Sequence, residues 1–318
     1  MRIIHLGKHG DGTGVAIAIR RIHQGLLDLG HDSLVLVEEV RDPQGDPRIR
    51  KLHSRTPLWQ RARRRWRRLL IAWSHRPYRV TRARGTVGFH DDRGRFGREL
   101  LDGLPPCDVI TVHAMLGWLD YRALFGTAPQ RAPIVPILHD MAFFTGGCHY
   151  TQGCDRFVDC CGACPALGSH RERDLSREIW LRKRSAYASV PPGRMHFVAP
   201  SRWVAEEARR SSLLQGFPVS VIPNGVDTRL FAPLDRRASR ELLGIPIDAE
   251  GVLFVGEPVT RVTKGFALLA DALARIRREN LLLVSVGSGS PPSAVDIPHL
   301  HLGHVVDERL LPIIYSAA

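Results

Sequence analysis

Arg2-Ile3-Ile4-His5-Leu6-Gly7-Lys8-His9-Gly10-Asp11-Gly12-Thr13-Gly14 is the stretch that decides the fold. A short apolar run breaks into a loop with glycines at 10, 12 and 14, and a helical period follows with Val15, Ile19, Ile22, Leu26 and Leu29 on one face. The period stops at Gly30. Strand, tight glycine loop and helix, in that order, make the first unit of a parallel α/β sheet. Further short apolar runs at residues 33–37, 108–113, 134–139, 196–199 and 219–222 alternate with helical segments, which predicts a sheet covered on both faces. A second series begins near Phe231, with a strand at 252–255, a helix at 265–277 and a strand at 281–286. The expectation is an α/β protein of two doubly wound, Rossmann-like domains, residues 1–230 and 231–318, the second incomplete. Residues 289–298, rich in Ser and Pro, read as a surface loop.

The chain has 318 residues, 44% of them hydrophobic, which suits two domains with ordinary cores. No run of ~18 apolar residues would span a membrane, and the apolar N-terminal run is too short for a signal peptide. A cytoplasmic protein with reduced thiols is expected. The formal net charge of +13 is local. Between Pro47 and His90 there is no Asp or Glu but 14 Lys and Arg; the rest of the chain has 31 basic residues against 32 acidic ones.

Within that basic stretch, residues 57–84 carry a helical pattern. Trp59, Ala62, Trp66, Leu69, Leu70 and Trp73 fall on one face at ~100° per residue. Arg61, Arg63, Arg64, Arg65, Arg67 and Arg68 take the other. Three tryptophans opposite six arginines fit a helix lying on an anionic membrane, with Trp59, Arg63, Arg64, Trp66, Arg67, Arg68 and Trp73 at the surface. A solvated arginine-rich segment and a nucleic-acid contact are the alternatives. No nucleic-acid-binding motif accompanies the helix, so no nucleic acid is expected as a partner.

The glycine loop lacks the G-x-G-x-x-G order; alone it is equally an ordinary strand-to-helix turn or a place where backbone N–H groups meet a phosphate. The ordered set of later motifs is more specific. Val198-Ala199-Pro200-Ser201-Arg202-Trp203 precedes Val221-Ile222-Pro223-Asn224-Gly225-Val226-Asp227 and Phe231. Then come Val255-Gly256, Lys264-Gly265-Phe266, Gly287-Ser288-Gly289 and Leu302-Gly303-His304. Together they resemble the retaining GT-B glycosyltransferases of family 4 over the whole chain. His139-Asp140-Met141, Phe144-Thr145-Gly146-Gly147-Cys148-His149-Tyr150, Cys154, Cys161 and Cys164-Pro165 look like the branch that builds bacterial capsular and exopolysaccharides.

The resemblance implies a donor diphosphate near Gly12, Thr13 and Gly14, and a reacting sugar facing His139, with Asp140 beside it. Without that context His139 reads as a core or surface histidine. Lys264 would pair with the diphosphate, whose developing charge needs fixed cations; by itself it reads as a solvated lysine. Where the family usually has arginine directly after Val-Gly, this chain has Glu257, which leaves Arg261 as the nearest substitute. There is no Asp-x-Asp, so a metal-bridged diphosphate is disfavoured and no catalytic metal is expected. Five of the six cysteines crowd into residues 148–164. Cys148, Cys154, Cys161 and Cys164 match the family positions and suit a structural Zn²⁺, with His149 a possible substitute ligand; a redox disulfide and plain reduced thiols are the alternatives.

The implied function is transfer of a sugar from a nucleotide-diphosphate sugar to a lipid-linked or oligosaccharide acceptor, with retention. The enzyme would sit peripherally at the inner face of the cell membrane. The family implies front-side attack, with the leaving phosphate helping to deprotonate the acceptor. The alternatives are a catalytically incomplete membrane- or polysaccharide-associated remnant and a nucleotide-sugar epimerase on the same plan. Residues 311–318 look like a helix after which the family places a further strand, a pair of donor-gripping glutamates and a crossover helix. A C-terminally truncated chain ending here is expected to bind donor weakly and not to turn it over.

Overall fold

The computed structural model describes residues 1–40, 45–52, 57–82, 88–115, 117–127, 132–276, 278–291 and 297–318. Two compact units divide the chain, Met1–Gly225 and Val226–Ala318. The end of the basic stretch, Arg84 included, and half of the loop expected at 289–298 lie outside the described residues.

The first unit runs β1 (Arg2–His9), α1 (Gly14–Asp28), β2 (Asp32–Glu39), β3 (Ile49–Lys51), α2 (Leu58–His75), α3 (Arg98–Leu101), β4 (Val109–Val112), α4 (Tyr121–Thr127), β5 (Ile134–Pro136), α5 (Leu175–Ala188), β6 (Phe197–Ala199), α6 (Arg202–Arg210) and β7 (Val219–Val221). All strand pairs are parallel, in the order β3-β2-β1-β4-β5, with β6-β7 as a further pair. Parallel bridges Ile134↔Met195 and Ile137↔Val198 join the β6 side to β5. The 3-2-1-4-5 order reverses between β1 and β4, and ligands in such sheets bind outside the strand C-termini at that switch point. Ile4, Leu6, Ile110, Val112 and Ile134 are fully buried, which is why these strands read as continuous apolar runs. Helix α1 starts where Thr13 caps it, its side chain accepting from the Ala16 N–H at 3.1 Å, and Ile19 packs on Val35 and Val37.

The second unit carries α7 (Arg236–Leu243), β8 (Glu250–Val255), α8 (Phe266–Leu273), β9 (Leu281–Val286), β10 (His299–His301) and α9 (Leu311–Ala317). Its parallel sheet runs β10-β9-β8. The buried Arg240 ties α7 to the sheet edge and to α9, donating to the carbonyls of Pro246, Ile247, Ala249 and Ala317 at 2.8–2.9 Å. Gly287, at φ +137°, lets two loops meet: a Cβ there would stand 1.8 Å from the Gly256 carbonyl oxygen.

Candidate active site

The C-terminal edge of the first sheet gathers the end of β1, the 10–14 loop, His113 after β4 and His139 after β5. Gly12 turns the loop at φ +67°, and the Arg20 side chain pins it by donating to the Gly10 carbonyl at 2.8 Å. Thr13 spends its hydroxyl oxygen on the α1 cap, so the loop presents backbone N–H groups at a helix N-terminus. A cleft of ≈ 460 Å³ lies along this edge, lined in part by Lys8, Glu38, His90, Arg68, Arg93 and Arg95.

His139 is not an isolated imidazole. Its Nε2 lies 2.9 Å from Nδ1 of His113, which is wholly buried. His113 Nε2 meets Thr111 Oγ1 at 3.1 Å, and Thr111 Oγ1 meets His5 Nδ1 at 2.7 Å. Burial holds His139 and His5 down to about 4 and His113 well below the usual histidine range. These histidines are therefore neutral at physiological pH. No side-chain partner meets Nδ1 of His139 among the described residues, and its ring is only partly covered.

Asp140, expected at the reacting centre, is occupied. Its carboxylate accepts from His149 Nδ1 at 2.9 Å and from the Ala142 N–H at 2.8 Å. Burial opposes its ionisation most, but His149, the Ala142 N–H and His139 together outweigh it and the carboxyl is held low. His149 Nε2 in turn stands 2.6 Å from His90 Nδ1. Because the carboxylate only accepts, His149 donates to it from Nδ1. His90, like His139, is pushed down to about 4 by burial.

Lys183, fully buried on α5, secures the loop after β5 by donating to the carbonyls of Ala142 and Thr145, with its ammonium 5.0 Å from the Tyr121 ring centre. His90, His113 and Lys183 were not singled out from sequence, and His149 was named only as a possible metal ligand. Their signal was faint: Thr111 and His113 are polar at alternate positions of an otherwise apolar strand, which marks one buried polar face.

Arg261 and Lys264 belong to the second unit, where both are exposed just ahead of α8 and make no side-chain hydrogen bond or ion pair among the described residues. Glu257 is engaged nearby. Its carboxylate accepts from the Ser288 N–H at 3.0 Å, from the Ser288 hydroxyl, and from His304 at 2.8 Å.

Cys148, Cys154, Cys161 and Cys164 line one small pocket of ≈ 20 Å³ with Phe157 and Thr151. Cys160 turns away, its sulfur 2.6 Å from Arg177. Among the described residues no three His, Cys, Asp or Glu side chains are set to hold a metal ion. Burial pushes the Cys148 and Cys161 thiols up to about 12. The pocket brings the four cysteines of the expected set to one place.

Helix α2 corrects the expected orientation of its arginines. Arg64 and Arg67 face the protein: Arg64 lies 3.4 Å from Glu99 and 4.3 Å over the Phe96 ring, and Arg67 pairs with Asp120. The opposite face is bare, with Trp59, Trp66 and Trp73 at 61, 65 and 71% exposure and Leu69 and Leu70 beside them. Buried carboxylates at Asp120 and the Phe96 ring draw the cationic side in, so the apolar side faces out. Beneath the helix a cleft of ≈ 400 Å³ is lined in part by Arg63, Arg67, Arg95, Arg98 and Arg122, with Glu99, Asp102 and Asp120 among them. Among the described residues no helix is long and apolar enough to cross a membrane.

The model of the family described as Glycosyltransferase Family 4 matches residues 12–230, a span that holds the glycine loop, His139 and the cysteine cluster. The chain belongs to glycosyltransferase family 4. Its curated relatives match over shorter stretches. The D-inositol 3-phosphate glycosyltransferase 2 of Catenulispora acidiphila is 39% identical over 87 residues, 26% of this chain and 20% of that protein. WcaC of Escherichia coli, named for colanic acid biosynthesis, is 26% identical over 184 residues, 56% of this chain and 42% of the relative. Among solved structures, Anabaena HepE in complex with UDP-glucose superposes with a TM-score of 0.54 at 16% identity, over 100% of this chain and 72% of that one. A glycosyltransferase from Rickettsia africae gives 0.56 at 13% identity, over 100% of this chain and 71% of its own. At these identities the likeness shows the fold, which is GT-B, and the family 4 assignment rests on the sequence match.

Proposed function

We propose that this family 4 chain transfers a sugar from a nucleotide-diphosphate sugar to a lipid-linked or oligosaccharide acceptor, with retention, in surface polysaccharide biosynthesis. The observation that carries the reading is the convergence, at the switch point of the first sheet, of the 10–14 loop with a neutral, one-sidedly hydrogen-bonded His139. A neutral imidazole there serves a sugar hydroxyl rather than a phosphate. Arg261 and Lys264 supply free cations for the diphosphate, as leaving-group charge requires. The names of WcaC and of the HepE–UDP-glucose complex agree with this substrate class.

The acceptor side carries the membrane reading. The bare face of α2 is a tryptophan and leucine stripe flanked by Arg63 and Arg65, which suits the headgroup region of an anionic bilayer at the cytoplasmic face. The arginine-lined cleft beneath it suits the phosphate of a lipid-linked acceptor. Zn²⁺ in the cysteine pocket would be structural, held by Cys148, Cys154, Cys161 and Cys164, and would pin the loop that follows His139.

Glu257 favours a second reading, a remnant without turnover, because a carboxylate occupies the Gly287–Gly289 turn where the family has a cation nearby. A thermal-shift panel of nucleotides and nucleotide sugars separates the two. A ligand at 100-fold its Kd should stabilise by ~2.7 kcal/mol, and Lys264→Ala should remove most of that gain. No shift with any nucleotide sugar would leave the remnant standing.

A further inference from the structure

The contacts of His139 continue across the sheet. Beyond His5, its Nε2 meets Ser33 Oγ at 3.1 Å, Ser33 Oγ meets His23 Nδ1 at 2.6 Å, and His23 Nε2 meets Asp46 Oδ2 at 2.9 Å. Seven side chains, Asp46–His23–Ser33–His5–Thr111–His113–His139, thus form one unbroken row on the face of the sheet that α1 covers. His5, Ser33 and His113 are wholly buried and His23 is 1% exposed, while the Asp46 side chain is 27% exposed.

The direction of every hydrogen in the row follows from its ends. Against the pull of burial, the Arg48 backbone N–H and His23 keep Asp46 ionised, and a carboxylate only accepts. In a row that carries no extra proton, His23 therefore donates from Nε2 and accepts at Nδ1 from the Ser33 hydroxyl. Ser33 has one hydrogen, already given, so it accepts from His5 Nε2. His5 then accepts at Nδ1 from Thr111, Thr111 accepts from His113 Nε2, and His113 accepts at Nδ1 from His139 Nε2.

We propose that Asp46, through this row, fixes His139 as the Nε2–H tautomer and so presents its Nδ1 lone pair to a hydroxyl of the bound sugar. This rests on the placement of His139 at the reacting edge. Asp46, His23, Ser33, His5, Thr111 and His113 are positioning residues in this account. The row also carries a proton to the one ring that has a carboxylate beside it. A proton taken at His139 Nδ1 releases the Nε2 proton to His113 Nδ1, and His113 passes its Nε2 proton to Thr111 Oγ1. Thr111 gives its own to His5 Nδ1, His5 passes its Nε2 proton to Ser33 Oγ, and Ser33 gives its own to His23 Nδ1. One proton enters, each link gains one and gives one, and the charge finishes on the His23 imidazolium beside the Asp46 carboxylate.

Long-range ¹H–¹⁵N spectra of the ring nitrogens in labelled full-length protein test this without any substrate. The expected result is His139 as the Nε2–H form in the wild type. In Asp46→Asn, whose amide can donate to His23, a substantial Nδ1–H population should appear. Turnover should fall at least about tenfold in kcat, as expected for a misdirected acid–base group, with the donor KM and Tm close to wild type, and Asp46→Glu should recover most of it. Ser33→Ala, which cuts the row at its middle, should give the same mixed tautomer with Asp46 intact. A wild-type His139 protonated at Nδ1, or a tautomer unchanged in both variants, overturns the proposal. A shifted tautomer with undiminished turnover would uphold the row and instead remove His139 from the reacting edge.

Discussion

The buried histidines make the first unit acid-sensitive as pH falls below about 6.5. His5, His90 and His139 are each held down to about 4, against a usual value near 6.5, and burial holds His113 well below that usual value too. Such a group leaves stability untouched above pH 6.5. As pH falls from 6.5 towards 4 the unfolded chain takes up a proton that the folded one refuses, and stability is lost. Between pH 7.5 and 5.5 each group costs about 1.4 kcal/mol, so the four together cost about 5–6 kcal/mol. Asp92 works the other way: burial, with Asp91 beside it, raises its carboxyl to about 6, so the folded state takes up a proton and recovers somewhat under 1 kcal/mol. The net loss of about 4–5 kcal/mol is a large part of the stability of a typical domain. With a urea slope near 2–3 kcal/mol per molar, the midpoint should fall by roughly 2 M. All six tryptophans lie at or before Trp203, and Trp118 and Trp180 are buried, so tryptophan fluorescence reports this unit. His90→Gln should shrink the fall by about 1.4 kcal/mol. Urea midpoints that agree to within about 0.3 M at the two pH values would refute the burial of neutral histidines on which the site is built.

Lys183→Met keeps the length of the side chain but leaves the Ala142 and Thr145 carbonyls without their donor. It should cost about 1–3 kcal/mol of stability by urea denaturation and lower turnover by loosening the loop after His139. Gly287→Ala forces a Cβ onto the Gly256 carbonyl oxygen at a φ that only glycine adopts readily; a loss of more than about 2 kcal/mol is expected, seen as a fall in the circular-dichroism melting temperature. Elemental analysis after purification without added metal should find about one Zn²⁺ per chain, the stoichiometry of a closed four-cysteine site, and the metal should be lost from Cys161→Ser.

The architecture was legible because its signals are local. The apolar runs at β1, β2, β4 and β8 and the helical periods at α1 and α2 each sit within one stretch of sequence. β3 was not legible, since Ile49-Arg50-Lys51 offers one buried residue inside a basic stretch, nor was β10, where His299 and His301 flank a single leucine. Periodicity gave the two faces of α2 correctly but could not say which one turns inward. That depends on Glu99, Phe96 and Asp120, some 30 to 60 positions away in sequence. His139 could be named from its neighbours, but its row could not. Positions 5, 23, 33, 46, 111 and 113 come together only through strand register, with His5 opposite Thr111 and α1 laid over both. The cysteine spacing predicted their convergence on one pocket.

The most direct test of the account is turnover by the full-length protein. Nucleoside diphosphate release from a panel of nucleotide-diphosphate sugars would be measured with lipid-linked and oligosaccharide acceptors, and the anomeric configuration of the product read by NMR. The account predicts acceptor-dependent release with the donor's anomeric configuration retained, and a loss of at least about 100-fold in kcat for His139→Ala, in the range typical of acid–base groups, with the fold intact by circular dichroism. Release without an acceptor-linked sugar, an inverted product, or an undiminished kcat in His139→Ala would contradict it.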